Sequence, residues 1–320
     1  MRSSRLASTA TKASSLTSAA QRGFVQEIVH NRAYYLMILP GVALLFVFNY
    51  IPYYGLVMAF QRFNPGLGFT RSPFIGLDNY RFLLSLPDIS RVVQNTIVIS
   101  VSKIVLRQIV AIIFAVLLNE LRNVIVKRTI QTVSYLPYFL SWVILGGVFI
   151  TMLSRAGMIN RILGSFGVEP IFFLGSNRWF RPTVIVTDVW QDFGFASIVY
   201  IAALTSIDPG LYESAVIDGA GRFARIWHIT LPGIATTIAL LAVLALGRIL
   251  EANFEQILVL YNAAVYETGD IIDTWIFRYG LQQARYSLAT AVGLVKSIVG
   301  TTLVFTANYA AKRFANYQVF

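Results

Sequence analysis

Six charged side chains interrupt runs that are otherwise apolar, one of them, Arg248, at the very end of its run. Lys103 and Arg107 stand four apart, Asp188 and Asp192 do the same, and Lys296 lies alone in a later run. At helical spacing each pair shares one face. Paired carboxylates can act as general acid and base, hold protons or cations inside a membrane, or neutralise buried bases. Charge within a bilayer is costly, so such groups face a cavity, a partner or one another. At about 1.5 Å per residue from the outer ends of their runs, Lys103, Asp192 and Lys296 reach a similar depth of roughly 14–17 Å. Equal depth permits ion pairs between helices, and it equally permits a polar lining along a path. If all face inward, the three bases outnumber the two acids, and the base left over suits an acidic solute. Arg248, Glu251 and Glu255 follow at i, i+3 and i+7, either a self-satisfied cluster or the rim of such a path.

Other chemistries lack their residues. There are no cysteines, hence no disulfide framework or thiolate metal site. His30 and His228 are too few for a histidine metal site, and no metal is expected. No G-x-x-x-x-G-K-[ST] phosphate loop occurs, so any ATP must be bound by another chain.

The elements that must position these residues are membrane helices. Of 320 residues 56% are hydrophobic and 13% charged, against roughly 25% charged in a soluble domain. Six runs are long enough to span: Tyr34–Phe60, Val92–Leu118, Thr129–Leu153, Thr183–Ile207, Ile229–Leu250 and Ser287–Ala310. Pro137 is expected to kink the third, and Gly146-Gly147 to allow close helix approach. Residues 1–32 are rich in Ser, Thr, Ala and bases. Their composition also resembles a transit peptide, but a span follows directly, so a flexible basic cytoplasmic tail is expected, with a transmembrane domain over 33–320. With the N-terminus inside, inner segments carry 12 bases and outer segments 10, a weak vote under the positive-inside rule. That distribution, with the net charge of +11 spread along the chain, gives no nucleic-acid surface.

Between the fourth and fifth runs lies a polar interruption. Asp208-Pro209-Gly210 signals a turn, a short helix follows over Leu211–Ile217, then the small residues Gly219-Ala220-Gly221, then a second short helix from Arg222 to about Ile229. Leu231-Pro232 opens the next apolar run, where proline is tolerated in a first helical turn. Two short helices with a glycine hinge and apolar anchors at Tyr212, Phe223, Ile226 and Trp227 suit docking into a partner groove; an amphipathic helix lying on the membrane is the alternative.

Glu213, Ala215, Gly219, Ile229, Leu231 and Pro232 fall at the spacing of the "EAA" loop of ABC-importer permeases, and the chain resembles that family. Asp218, Ala220 and Trp227 match the form of the carbohydrate-importer branch; Ser214 stands where alanine is usual. Phe74-Ile75-Gly76-Leu77-Asp78-Asn79-Tyr80 resembles the F-x-G-L-x-N-Y segment of sugar permeases, and the likeness runs over roughly 34–313. It implies an all-α polytopic protein of about six helices with the type I ABC-importer permease fold. It also implies a bacterial inner-membrane location, both termini cytoplasmic, and 208–228 as the cytoplasmic coupling loop. The implied partners are a second permease, two ATPase subunits carrying ATP and Mg, an extracytoplasmic solute-binding protein docking on the outer loops, and an oligosaccharide. An acidic cargo such as an alginate fragment would suit the surplus base, with Trp190, Phe193 and Tyr135 stacking on sugar rings, although aromatics at helical spacing more often pack. Catalysis is not expected of this chain. Two other readings use the carboxylates: an ion-driven secondary transporter, and a membrane enzyme with Asp188 and Asp192 as acid and base.

Overall fold

The computed structural model describes residues 30–315, with side chains through 309. The expected tail over 1–32 therefore lies almost wholly outside the described residues. Among these residues every regular element is helical, apart from an isolated bridge between Gln61 and Phe74.

The chain forms two units that part after Val57. The first unit contains α1 (Arg32–Leu45), continued by a π turn, Phe46–Tyr50, and a 3-10 segment, Ile51–Phe60, that crosses the boundary. Together these make an apolar helix of 29 residues. The pitch changes two residues before Pro52, which has no N–H to give; local π and 3-10 adjustments re-satisfy carbonyls that a proline frees.

The second unit opens with α2 (Asp78–Ser85) and α3 (Pro87–Asn119). The F-x-G-L-x-N-Y segment now has a physical account. Gly76 sits at φ +59, and buried Asn79 donates to the carbonyls of Ala59 at 2.8 Å and Gln61 at 3.0 Å. Then come α4 (Val124–Tyr135), α5 (Trp142–Met152), α6 (Met158–Ser165) and α7 (Asn177–Thr205). After these come α8 (Pro209–Ile217), α9 (Arg222–Arg225), α10 (Ala235–Leu246), α11 (Phe254–Leu260), α12 (Ile272–Ile276) and α13 (Tyr286–Ala315). Four described helices are long and apolar enough to cross a membrane, and six crossings result if each of two bent pairs counts as one.

The third span, expected to kink at Pro137, is one of those pairs. Its limbs meet at 101°. Pro137 opens a 3-10 turn, Leu136–Phe139, but the break itself falls at Leu140 and Ser141, where both residues turn extended. The Ser141 hydroxyl caps α5, and Gln191 of α7 donates to the Leu140 carbonyl at 3.0 Å. Non-helical backbone at membrane depth needs such partners. The fifth span differs too. The second short helix of the polar loop does not stop near Ile229. It runs through a π turn, Ile226–Thr230, two residues before Pro232, and bends by 57° at Ile234 before α10.

Close packing of α7 with α3 and α4 forms the frame. Ala111, Ala115, Tyr200, Leu204 and Ile234 form one buried cluster, and Ile99, Trp142, Phe180, Val184 and Ile257 another. Gly146 lets α5 meet α11, where an added Cβ would lie 2.3 Å from Val259 Cγ1; Gly147 faces open space. At Gly194 an added Cβ would lie 2.1 Å from the Ser134 carbonyl oxygen. That neighbour is backbone and cannot swing aside. Gly194→Val is therefore expected to cost about 1–3 kcal/mol or more through overpacking, read as a lower midpoint in detergent thermal unfolding.

Candidate coupling loop and polar path

Buried Asp188 of α7 collects three donors. Lys103 Nζ lies at 3.2 Å, Arg107 Nη2 at 2.6 Å, and Asn253 Nδ2 at 2.9 Å. Arg107 reaches one turn further, its Nε 2.8 Å from Asp192 Oδ2. Lys103, 3% exposed, also donates to the Ala252 carbonyl at 2.8 Å and to Gln256 Oε1. An ammonium has three protons, and here each has an acceptor. Gln256 in turn donates to Val184 O at 2.8 Å and Thr187 Oγ1 at 2.9 Å. Two bases meet two acids, so the cluster closes on itself.

The cluster is anchored at the gap between α10 and α11. Asn253 sits in the left-handed region at φ 63, where its Oδ1 accepts from Gln256 N and caps α11 while its Nδ2 binds Asp188. A non-glycine residue held there costs energy and persists only when its surroundings fix it. Asn253-Phe254-Glu255-Gln256 resembles a segment of the complex-sugar permease branch, but the sequence reading gives Asn253 and Gln256 no place in the polar site. Their signal was a polar N-x-x-Q step beside an apolar run.

Lys296 is not part of this cluster, against the equal-depth reading. It pairs with Asp273 Oδ1 at 2.5 Å and lines a separate cavity of about 280 Å³ with Tyr80, Leu250 and Ile272. The reason is that residues 270–282 fold back into the bundle as α12 and a π turn, burying Ile271, Ile272 and Trp275. The surplus base counted along the sequence is thereby matched.

Beside the ionic cluster lies a polar cavity of about 480 Å³. Ser100, Lys103, Arg107, Arg248, Glu251 and Asn253 supply its polar lining. Arg248 and Glu251 are exposed, and neither has an opposite charge within ion-pair distance among the described residues. Glu255 is exposed on α11 and does not line the cavity. Trp190 also lies elsewhere, in an apolar cavity, its ring edge against Phe149 at 5.6 Å. Phe193 packs on Phe114 at 5.1 Å.

The polar loop between α7 and α10 is a separate site. Asp208 caps α8, accepting from Gly210 N at 2.9 Å, and Pro209 takes the first turn. Gly219 closes α8 at φ +77: Gly219 N donates to Val216 O at 3.1 Å and Ala220 N to Ala215 O at 2.8 Å. This pair of bonds is a Schellman cap, so the glycine read as a hinge is a fixed left-handed stop. The Tyr212 hydroxyl meets Thr230 Oγ1 at 3.0 Å, tying the two limbs together. Tyr212 and Ile226 are thus half-buried in the loop rather than outward anchors. The most exposed apolar residues are Ile217, 86% exposed, Phe223, 89%, and Trp227, 70%. Glu213, Ser214 and Asp218 are exposed around them, Ala215, Ala220 and Leu231 are half-buried, and Pro232 is exposed. A cluster of exposed large apolar side chains in a polar loop marks an interaction surface.

An all-helical bundle with a charge-lined cavity and a rigid, outward-facing apolar loop defines a polytopic membrane permease. Residues 108–316 match the family of binding-protein-dependent transport system inner membrane components, and the chain belongs to that family. It is 39% identical over 287 residues to Protein LplB of Bacillus subtilis, covering 89% of this chain and 90% of that one. It is 40% identical over 295 residues to the B. subtilis polygalacturonan/rhamnogalacturonan transport system permease protein YteP, covering 92% of each. A chain from the crystal structure of a bacterial ABC transporter involved in import of the acidic polysaccharide alginate superposes with TM-score 0.82 at 40% identity. It covers 90% of this chain and 98% of that one. The bacterial alginate transporter in complex with a pentasaccharide-bound periplasmic protein gives 0.83 at 38% identity, covering 92% and 99%. The fold is that of a type I ABC-importer permease, a multi-pass subunit of the inner membrane.

Proposed function

We propose that this subunit passes an acidic oligosaccharide, received from an extracytoplasmic solute-binding protein, across the cytoplasmic membrane. It works beside a second permease and above two ATPase subunits that hold ATP and Mg. Residues 33–320 form the membrane domain, and the loop 208–228 docks on an ATPase through Ile217, Phe223 and Trp227. Both termini then lie in the cytoplasm, as six crossings require. The observation that carries the cargo reading is the cavity beside the Lys103–Arg107 face, where Arg248 stands exposed without a carboxylate partner. A uronate would pair with it. The names of two similar proteins, for polygalacturonan and alginate transport, support that class. The ion-driven alternative takes Asp188 and Asp192 as its free carboxylates. Asp188 and Asp192 are both held by fixed bases, which disfavours it.

Uptake into proteoliposomes containing the complete complex tests the cargo. A charge-assisted hydrogen bond is worth about 1.5–3 kcal/mol. Arg248→Gln should therefore slow uptake of an acidic oligosaccharide roughly tenfold while sparing a neutral one of equal length. Equal slowing of both would remove Arg248 from cargo selection.

A further inference from the structure

The apolar cavity that holds Trp190 has no role in this account. It measures about 480 Å³ and lies between α5, α6 and α7. Leu145, Phe149 and Met152 of α5 form one wall, and Trp179, Val186 and Trp190 of α7 another. Thr183 and Thr187 also border it, but both hydroxyls are spent on their own helix, donating to Trp179 O at 2.7 Å and Thr183 O at 2.8 Å. The cavity therefore offers an occupant no free hydroxyl and takes an apolar one. Along α7 it runs from Trp179 to Trp190, roughly 16 Å at about 1.5 Å per residue. That is about half of a hydrocarbon core some 30 Å thick, the depth of one leaflet. It lies along the half of α7 away from the 208–228 loop.

The rim at that end is basic. Arg155 and Arg178 are exposed there, and neither pairs with a carboxylate among the described residues. Arg155 lies over the Phe172 ring at 5.0 Å, beside Phe173, which lines the cavity. Arg178 directly precedes Trp179, another lining residue, whereas Arg161, two residues beyond Ile159 on α6, is turned to the opposite face and donates its Nε to the Ala156 carbonyl at 3.1 Å. Arg181, in contrast, is committed inward to Asn95 and Thr268. Glu169 is the one acid in residues 154–182.

We propose that this cavity binds an anionic phospholipid, an acyl chain lying between α5 and α7 and the headgroup phosphate held by Arg155 and Arg178. Guanidinium groups suit phosphate through paired N–H donors, and a tryptophan at the rim suits the headgroup level. The proposal stands apart from the cargo reading, because the cavity shares no lining residue with the polar one.

The test uses the complete complex in phosphatidylcholine vesicles. A small fraction of phosphatidylglycerol or of phosphatidylcholine carries bromines on the acyl chain, and tryptophan fluorescence is read. Subtracting a Trp179→Phe/Trp190→Phe complex isolates the two cavity rings. Brominated phosphatidylglycerol should quench this difference signal at a several-fold lower mole fraction than brominated phosphatidylcholine. The Arg155→Gln/Arg178→Gln complex should lose that preference while still hydrolysing ATP. Equal quenching by both lipids overturns the proposal, leaving an unselective boundary lipid. Absence of quenching overturns it by placing a partner helix there, and a preference that survives the double substitution overturns the headgroup assignment.

Discussion

Asp188→Ala should prevent the assembled complex from accumulating. Its carboxylate is the meeting point of Lys103, Arg107 and Asn253. Alanine would leave Lys103 buried with neutral acceptors alone, and Arg107 with Asp192 as its single acid. Removing one partner of a buried ion pair costs about 3–5 kcal/mol, a large part of the roughly 5–15 kcal/mol that holds a typical protein folded. Asn253 would also lose the bond that fixes its left-handed backbone, loosening the gap between α10 and α11. The companion variant Lys103→Met/Asp188→Asn removes both charges, keeps a carbonyl oxygen for Asn253, and leaves Arg107 to Asp192. Because apolar or neutral replacement of a buried pair is often close to neutral in energy, it should recover more than half of the loss. Yield of monodisperse complex and its thermal midpoint decide the matter. Wild-type behaviour of Asp188→Ala would mean that the cluster does not hold the bundle.

Gly219→Val should silence the transporter without unfolding it. The Cβ would meet nothing within 4 Å, so the obstacle is conformational. At φ +77 a side chain strains the backbone by about 1–2 kcal/mol, more for a β-branched one. Relief requires opening the cap made by Val216 and Ala215, which re-aims Ile217 relative to Phe223 and Trp227. Asparagine tolerates the left-handed region, so Gly219→Asn should retain most activity. ATP hydrolysis stimulated by the binding protein would fall to the basal level with valine and stay near wild type with asparagine. If valine and asparagine behave alike, space rather than backbone conformation matters at this position. If neither has an effect, the loop is not the coupling element.

The apolar runs were legible because spanning helices declare themselves by composition alone, and the loop because its spacing is specific. What escaped was local. Pro137 advertises a kink, yet the 101° break falls beyond it, at Ser141, where a serine hydroxyl can cap a new helix. Gly219 looked like a hinge because sequence cannot separate a flexible glycine from one held at positive φ. Asp188 as partner of Lys103 and Arg107 was one of two open readings, and linear spacing could not choose between them. Lys296 went astray because depth was counted on the assumption that everything between the last two runs lay outside. The fold-back had a trace: Ile271-Ile272 and Trp275-Ile276 give residues 270–282 a buried apolar face. Asn253 and Gln256 were overlooked as site residues because neutral amides do not stand out by charge, although here they complete the partners of Asp188 and Lys103.

The central claim is that this permease couples ATP hydrolysis on a partner to movement of an acidic oligosaccharide. It is tested most directly by reconstituting the complete complex with ion gradients collapsed. ATP hydrolysis is then measured with a binding protein that is empty, loaded with an acidic oligosaccharide, or loaded with a neutral one of the same length. The account predicts stimulation by the acid-loaded form well above the other two. No stimulation by any loaded form, or uptake that vanishes when the gradients are collapsed, would contradict it.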